Sequence, residues 1–141
     1  MKEENRGAGL DRSLVALLIS YTLASLAHFV HNAEFLNEYP NMPDWLSQAE
    51  VYGSWLAVVG LGLAGYLLYQ WRFRSLGLIT IAFYGVCGLD GLTHYALAPI
   101  GAHTQTMHST ILLEAITGLV LTIKAVSMWN KQHKGPMPAN R

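Results

Sequence analysis

Four long apolar stretches, separated by short polar ones, organise this chain: roughly 13–35, 51–70, 76–98 and 106–128. Each is near the ~20 residues that a helix needs to cross ~30 Å of hydrocarbon. A helix suits that setting because it satisfies its own backbone hydrogen bonds, which lipid cannot do. The pattern predicts an all-α integral membrane protein, a four-transmembrane-helix bundle. Its helices should cover about 13–35, 49–71, 76–98 and 105–130, with tails at 1–12 and 131–141. Ser25 and Ala27 follow an apolar run as cleavage-site residues would, yet the first run is read as a retained helix.

Composition agrees. The chain of 141 residues is 52% hydrophobic and only 13% charged, against about 25% charged in a typical soluble domain. Zero net charge gives no basic face for nucleic acid. One cysteine, Cys87, allows neither an internal disulfide nor a cysteine-built zinc site,.

Charge order sets the expected topology. Lys2, Arg6 and Arg12 precede the first run, Arg72 and Arg74 separate the second from the third, and Lys124, Lys131, Lys134 and Arg141 lie at or after the end of the fourth. The loops 36–50 and 99–105 contain no Lys or Arg. The positive-inside rule therefore predicts both termini in the cytoplasm, most simply of a cytoplasmic (inner) membrane. Lys124 should snorkel to the inner interface. Asp44 is the expected cap of the second helix, and Pro40 and Pro43 should stiffen the loop before it. Small residues suggest packing faces: Ser20, Ala24 and Ala27; Gly53, Ala57, Gly60 and Ala64; Gly85, Gly88 and Gly91; Ala115, Gly118 and Thr122.

The polar residues that interrupt this apolar background gather toward one side. His28, His31, His94, His103 and His108 fall in the outer half, with Glu34, Asp90 and Glu114. His28 and His31 are three apart, and Asp90 and His94 four apart, so each pair can share a helix face. An ionised side chain at membrane depth costs at least ~2.5–3.5 kcal/mol. Asp90 and Glu114 must therefore be paired, protonated or bound to a cation, and no Lys or Arg is available on that side. All eight residues are candidate metal ligands, with Asp90 and Glu114 also candidate catalytic acids or bases. Imidazole and carboxylate together suit zinc, iron or copper.

The stretch "HNAEF" with a following "PDW" is similar to small membrane proteins named for an HXXEE motif. His31 and Glu34 match it, and Phe35 replaces the second glutamate. That family implies no particular activity. "DGLTH" resembles the Asp-x-x-x-His metal motif in the C subunit of copper membrane monooxygenases, through Asp90 and His94, although the next histidine is spaced differently.

Three functions fit these residues. One is a metal-dependent membrane enzyme, an oxidoreductase or hydrolase, acting on a small or lipidic substrate from the outer side. A second is a haem- or cofactor-binding electron-transfer subunit, which the buried acids disfavour. A third is proton or metal-ion transport or sensing. The expected partners are the lipid bilayer and either further copies of the chain or a larger membrane complex.

Overall fold

The computed structural model describes residues 11–133; the flanking tails lie outside that range, apart from their innermost residues. The first helix, α1 (Arg12–Glu34), starts at Asp11, whose Oδ1 accepts from the backbone N–H groups of Ser13 and Leu14, each at 3.0 Å. A carboxylate is a strong cap because it satisfies N–H groups that the first turn leaves free. The second helix, α2 (Gln48–Gln70), is capped by Ser47 in a reciprocal box with Glu50. Asp44 is exposed and does not cap it. A hydroxyl with an acid three residues on satisfies two donors at once, which a lone carboxylate four residues upstream cannot do.

The third span is not one uninterrupted helix. It runs as α3 (Arg74–Cys87), a 3₁₀ turn (Asp90–Thr93) and the four-residue α4 (His94–Leu97). The backbone tightens to three-residue bonds, Leu89 N–H to the Val86 carbonyl (2.9 Å) and Leu92 N–H to the Leu89 carbonyl (3.0 Å). Gly88 and Gly91 sit in this break, where glycine holds a regular helix least firmly,. After a short loop, α5 (Gln105–His133) returns along the bundle. All four spans are long and apolar enough to cross a membrane.

Each span packs mainly on two neighbours. The order around the bundle is α1, α2, the third span, α5, and back to α1. Leu14, Leu18, Tyr21, Leu78, Ile81, Tyr84, Leu121 and Ala125 form the core of the half that holds both described chain ends. A smaller cluster of Tyr39, Met107 and Ile111 closes the opposite end. Large apolar side chains such as Leu23, Leu56, Phe83 and Ile116 cover the outside, consistent with four helices apolar enough to cross a membrane.

Glycines set how closely the spans approach. A Cβ on Gly85 would stand 2.6 Å from the Gly118 carbonyl oxygen, and one on Gly118 would stand 2.5 Å from that of Gly85. These two positions lie on the expected faces. The second helix differs: Gly53, Ala57, Gly60 and Ala64 all face outward, and α2 packs through Gly62 and Gly65 instead. Spacing alone could not choose between two small-residue stripes on one helix.

Lys124 lies near the end of α5 that meets the start of α1. Its Nζ pairs with Asp11 Oδ2 at 3.0 Å and ties α5 to the start of α1. The Ser13 hydroxyl bond first, then Lys124, hold the Asp11 carboxyl down at about 2, against an ordinary value of 3.8. A carboxyl whose folded value is depressed stabilises the fold above its unfolded value and loses that effect as pH falls toward 2. Asp11→Asn should therefore flatten the acid limb of a pH–stability curve between about pH 4 and 2. The pair is about 30% exposed, so the effect should stay below ~1 kcal/mol. An unchanged acid limb would remove this pair from the account.

Candidate functional site: a capped histidine–carboxylate network

The break in the third span lies against α1 at His28. Gly91 makes that possible, since a Cβ there would come within 2.7 Å of His28 Cε1 and 3.3 Å of Glu114 Oε2. His28 from α1 and Glu114 from α5 meet in this space, Nδ1 to Oε2 at 2.9 Å, with side chains only 4% and 2% exposed. The approach is off the ring N–H axis: the contact is short, but it does not align as a hydrogen bond. Among the described residues no Lys or Arg pairs with Glu114.

The network extends from this pair. Asn32, one turn beyond His28 on α1, places Nδ2 3.1 Å from His94 Nε2. With the amide donating, His94 carries its proton on Nδ1. That atom and Asn32 Oδ1 are both buried without a partner. The His28 and His94 rings lie 5.6 Å apart, His94 and His103 6.4 Å, and His103 and His108 5.8 Å. His103 Nδ1 lies 3.2 Å from the Pro99 carbonyl oxygen, which can only accept. The ring proton therefore sits on Nδ1 in the neutral form. Nε2 is left as a bare lone pair, buried and unpartnered. His108 Nδ1 bonds the Tyr95 hydroxyl at 2.8 Å, and His31 Nδ1 bonds that of Tyr39 at 3.0 Å.

The loop between α1 and α2 covers this row. Tyr39 is 3% exposed and its ring lies 4.8 Å from that of His94. Burial pushes the Tyr39 phenol up to about 12, so it remains a neutral hydroxyl. Asn41 adopts φ 59°, a left-handed conformation that asparagine tolerates better than most residues,. Its Nδ2 donates to the Leu97 carbonyl at 2.8 Å and pins the loop to the end of α4.

Of the eight expected residues, the fold brings His28, His94, His103 and Glu114 into the buried interior, with His31 and His108 half-buried at the rim. It separates the other two. Asp90 is exposed on the outside of the 3₁₀ turn, because tightening the backbone changes which residues share a face. Glu34 is exposed and accepts from Gln48 Nε2 and the Tyr52 hydroxyl, each at 2.8 Å, which joins α1 to α2. Among the described residues no three His, Cys, Asp or Glu side chains converge as a ready-made metal cage. Asn32, Tyr39 and Tyr95 belong to the network and were not expected. Asn32 alone had a signal, its position four residues after His28.

No family model, curated protein or solved structure matches the chain. The likenesses at "HNAEF" and "DGLTH" thus stay local, and the chemistry rests on the geometry.

Proposed function

We propose that this is a four-span membrane protein with both termini in the cytoplasm, and that the capped network is an acid–base site near the extracytoplasmic face. The protein is read as a membrane enzyme acting on a small or lipidic substrate, with His28 and Glu114 as the proton-exchanging pair. One observation carries this reading. Glu114 is an almost wholly buried carboxylate whose nearest ionisable partner is an imidazole at 2.9 Å. Such a pair either shares a proton or holds opposite charges, and low dielectric makes the choice sensitive to what binds beside it. A buried carboxylate facing a buried imidazole supplies both an acid and a base in one water-poor space, as general acid–base chemistry needs. The opposite half is filled by Leu14, Leu78, Ile81 and Leu121, which favours chemistry on one side over passage through the bundle. Oligomers or a larger complex would use the outward small-residue face of α2.

A second reading, a site for zinc, iron or copper, is favoured by His103. A metal-bound histidine usually gives its other ring N–H to a carbonyl or carboxylate. His103 has that arrangement and an unpaired Nε2. His94, His28 and Glu114 would be the further ligands after side-chain movement.

One preparation separates the readings. The protein, purified in detergent without chelator, would be analysed for metals per chain, and Glu114 would be titrated by infrared difference spectroscopy against Glu114→Gln. Titration of Glu114 that changes in His28→Asn, without bound metal, is the expected result. A near-stoichiometric metal lost in His103→Ala would select the second reading. A Glu114 band that is constant from pH 4 to 10, with no metal, would reduce the network to packing.

A further inference from the structure

The acid–base site has a continuation toward the middle of the bundle. Helix α1 carries Tyr21, Ser25, His28 and Asn32 at spacings of four, three and four, which places them on one face,. All four are buried, and Tyr21 and Ser25 are 0% exposed. His28 faces Glu114 and Asn32 faces His94. The Tyr21 hydroxyl and Ser25 Oγ have no protein partner at all.

Helical Ser and Thr hydroxyls normally escape this state by bonding the carbonyl four residues back. Thr22, Thr80, Ser109, Thr117 and Thr122 all do so here, at 2.7–2.9 Å. Ser25 does not. The Tyr21 ring enters the bundle between two glycines: a Cβ on Gly88 would lie 2.8 Å from Tyr21 Cε2, and one on Gly118 3.2 Å. The same Cβ on Gly88 would lie 3.0 Å from the Glu114 carbonyl oxygen. Tyr21 therefore sits beside the backbone of Glu114, one helical turn before Ser25.

A buried hydroxyl left dry costs ~1–3 kcal/mol. Two of them on successive turns of α1, one beside the Glu114 backbone, suit ordered water, which needs two to four polar partners,. We propose that Tyr21 and Ser25 hold internal water next to Glu114, making a hydrated pocket of the acid–base site. That water would exchange protons with Glu114: a hydrated proton in the pocket passes one proton to the carboxylate and leaves a neutral water, and the reverse step restores both. The water site stands on the two unpartnered hydroxyls. Its service to Glu114 rests on the acid–base reading above.

Radiolytic hydroxyl footprinting tests the site directly, because bound water is activated in place and labels its neighbours even where bulk solvent is excluded. The full-length protein in nanodiscs would be irradiated, with Ile81 and Leu121, both 0% exposed, as dry references. Tyr21 should label at least tenfold faster than those references. Ser25→Ala should lower Tyr21 labelling several-fold, and Tyr21→Phe, which keeps the ring, should lower labelling near Ser25. Tyr21 labelling no faster than Ile81, or unchanged in Ser25→Ala, would overturn the proposal. If Tyr21 labels and Glu114 fails to titrate, the water site stands and the acid–base reading falls.

Discussion

His28→Ala is expected to cost more than any other single change within the site, about 3–5 kcal/mol, because it leaves Glu114 as an unpaired buried acid. The reverse truncation, Glu114→Ala, leaves a neutral imidazole without a partner and should cost only ~1–3 kcal/mol. That asymmetry separates a charged pair from simple packing, since the two side chains are similarly buried. Adding Glu114→Gln to His28→Ala should recover part of the loss by removing the charge. Unfolding in a graded detergent mixture, followed by circular dichroism, would measure all four proteins. Equal losses for His28→Ala with and without Glu114→Gln would show that charge contributes nothing here.

The second large effect lies at the other end of the bundle. A Cβ on Gly77 would stand 2.6 Å from Tyr69 Cα and 2.8 Å from the Gly65 carbonyl oxygen, and closer still to the Tyr69 backbone nitrogen. These are backbone atoms of α2, which cannot swing aside as a side chain can. Gly77→Ala should therefore separate α2 from α3, at or above the ~1–3 kcal/mol usual for overpacking. Gly60→Ala is the matched control. Nothing lies within 4 Å of its Cβ position, and alanine is the better helix former by ~1 kcal/mol. It should leave stability unchanged or raise it. Thermal unfolding of the two variants side by side would decide, and equal midpoints would remove the close approach from the account.

These two glycines also show where sequence reading stops. Hydropathy and length predicted four long apolar helices, and the structure has four spans long and apolar enough to cross a membrane, because a run of apolar residues long enough for that has little choice but helix. The glycine faces of the third and fourth spans were readable because each has one small-residue stripe. On α2 two such stripes exist, and which one packs depends on the neighbour. The sequence placed His28, Asp90 and Glu114 at one level of antiparallel helices, whereas His103 reads as a loop residue, and its burial beside His94 depends on how that loop folds. Asp90 did not join the other two, because its direction depends on a change from α to 3₁₀ winding that the glycine pattern permits without requiring. Asn32 and Tyr39 went unnoticed because an amide and a phenol carry no charge to explain in an apolar run.

The winding change has a consequence for how the interior is reached. The third span ends in a four-residue helix and a 3₁₀ turn, elements too short to be stable alone, while its first half is locked into the main core. The loop over the histidine row is pinned to this weak end through Asn41 and Leu97. Local opening should therefore be cheapest there, as a small cooperative unit with its own free energy, well below that of global unfolding. Amide exchange in α4 would run ahead of exchange in α3. The buried imidazoles would thus meet a ligand at a rate set by fraying of one helix end, independent of how firmly the rest of the bundle holds.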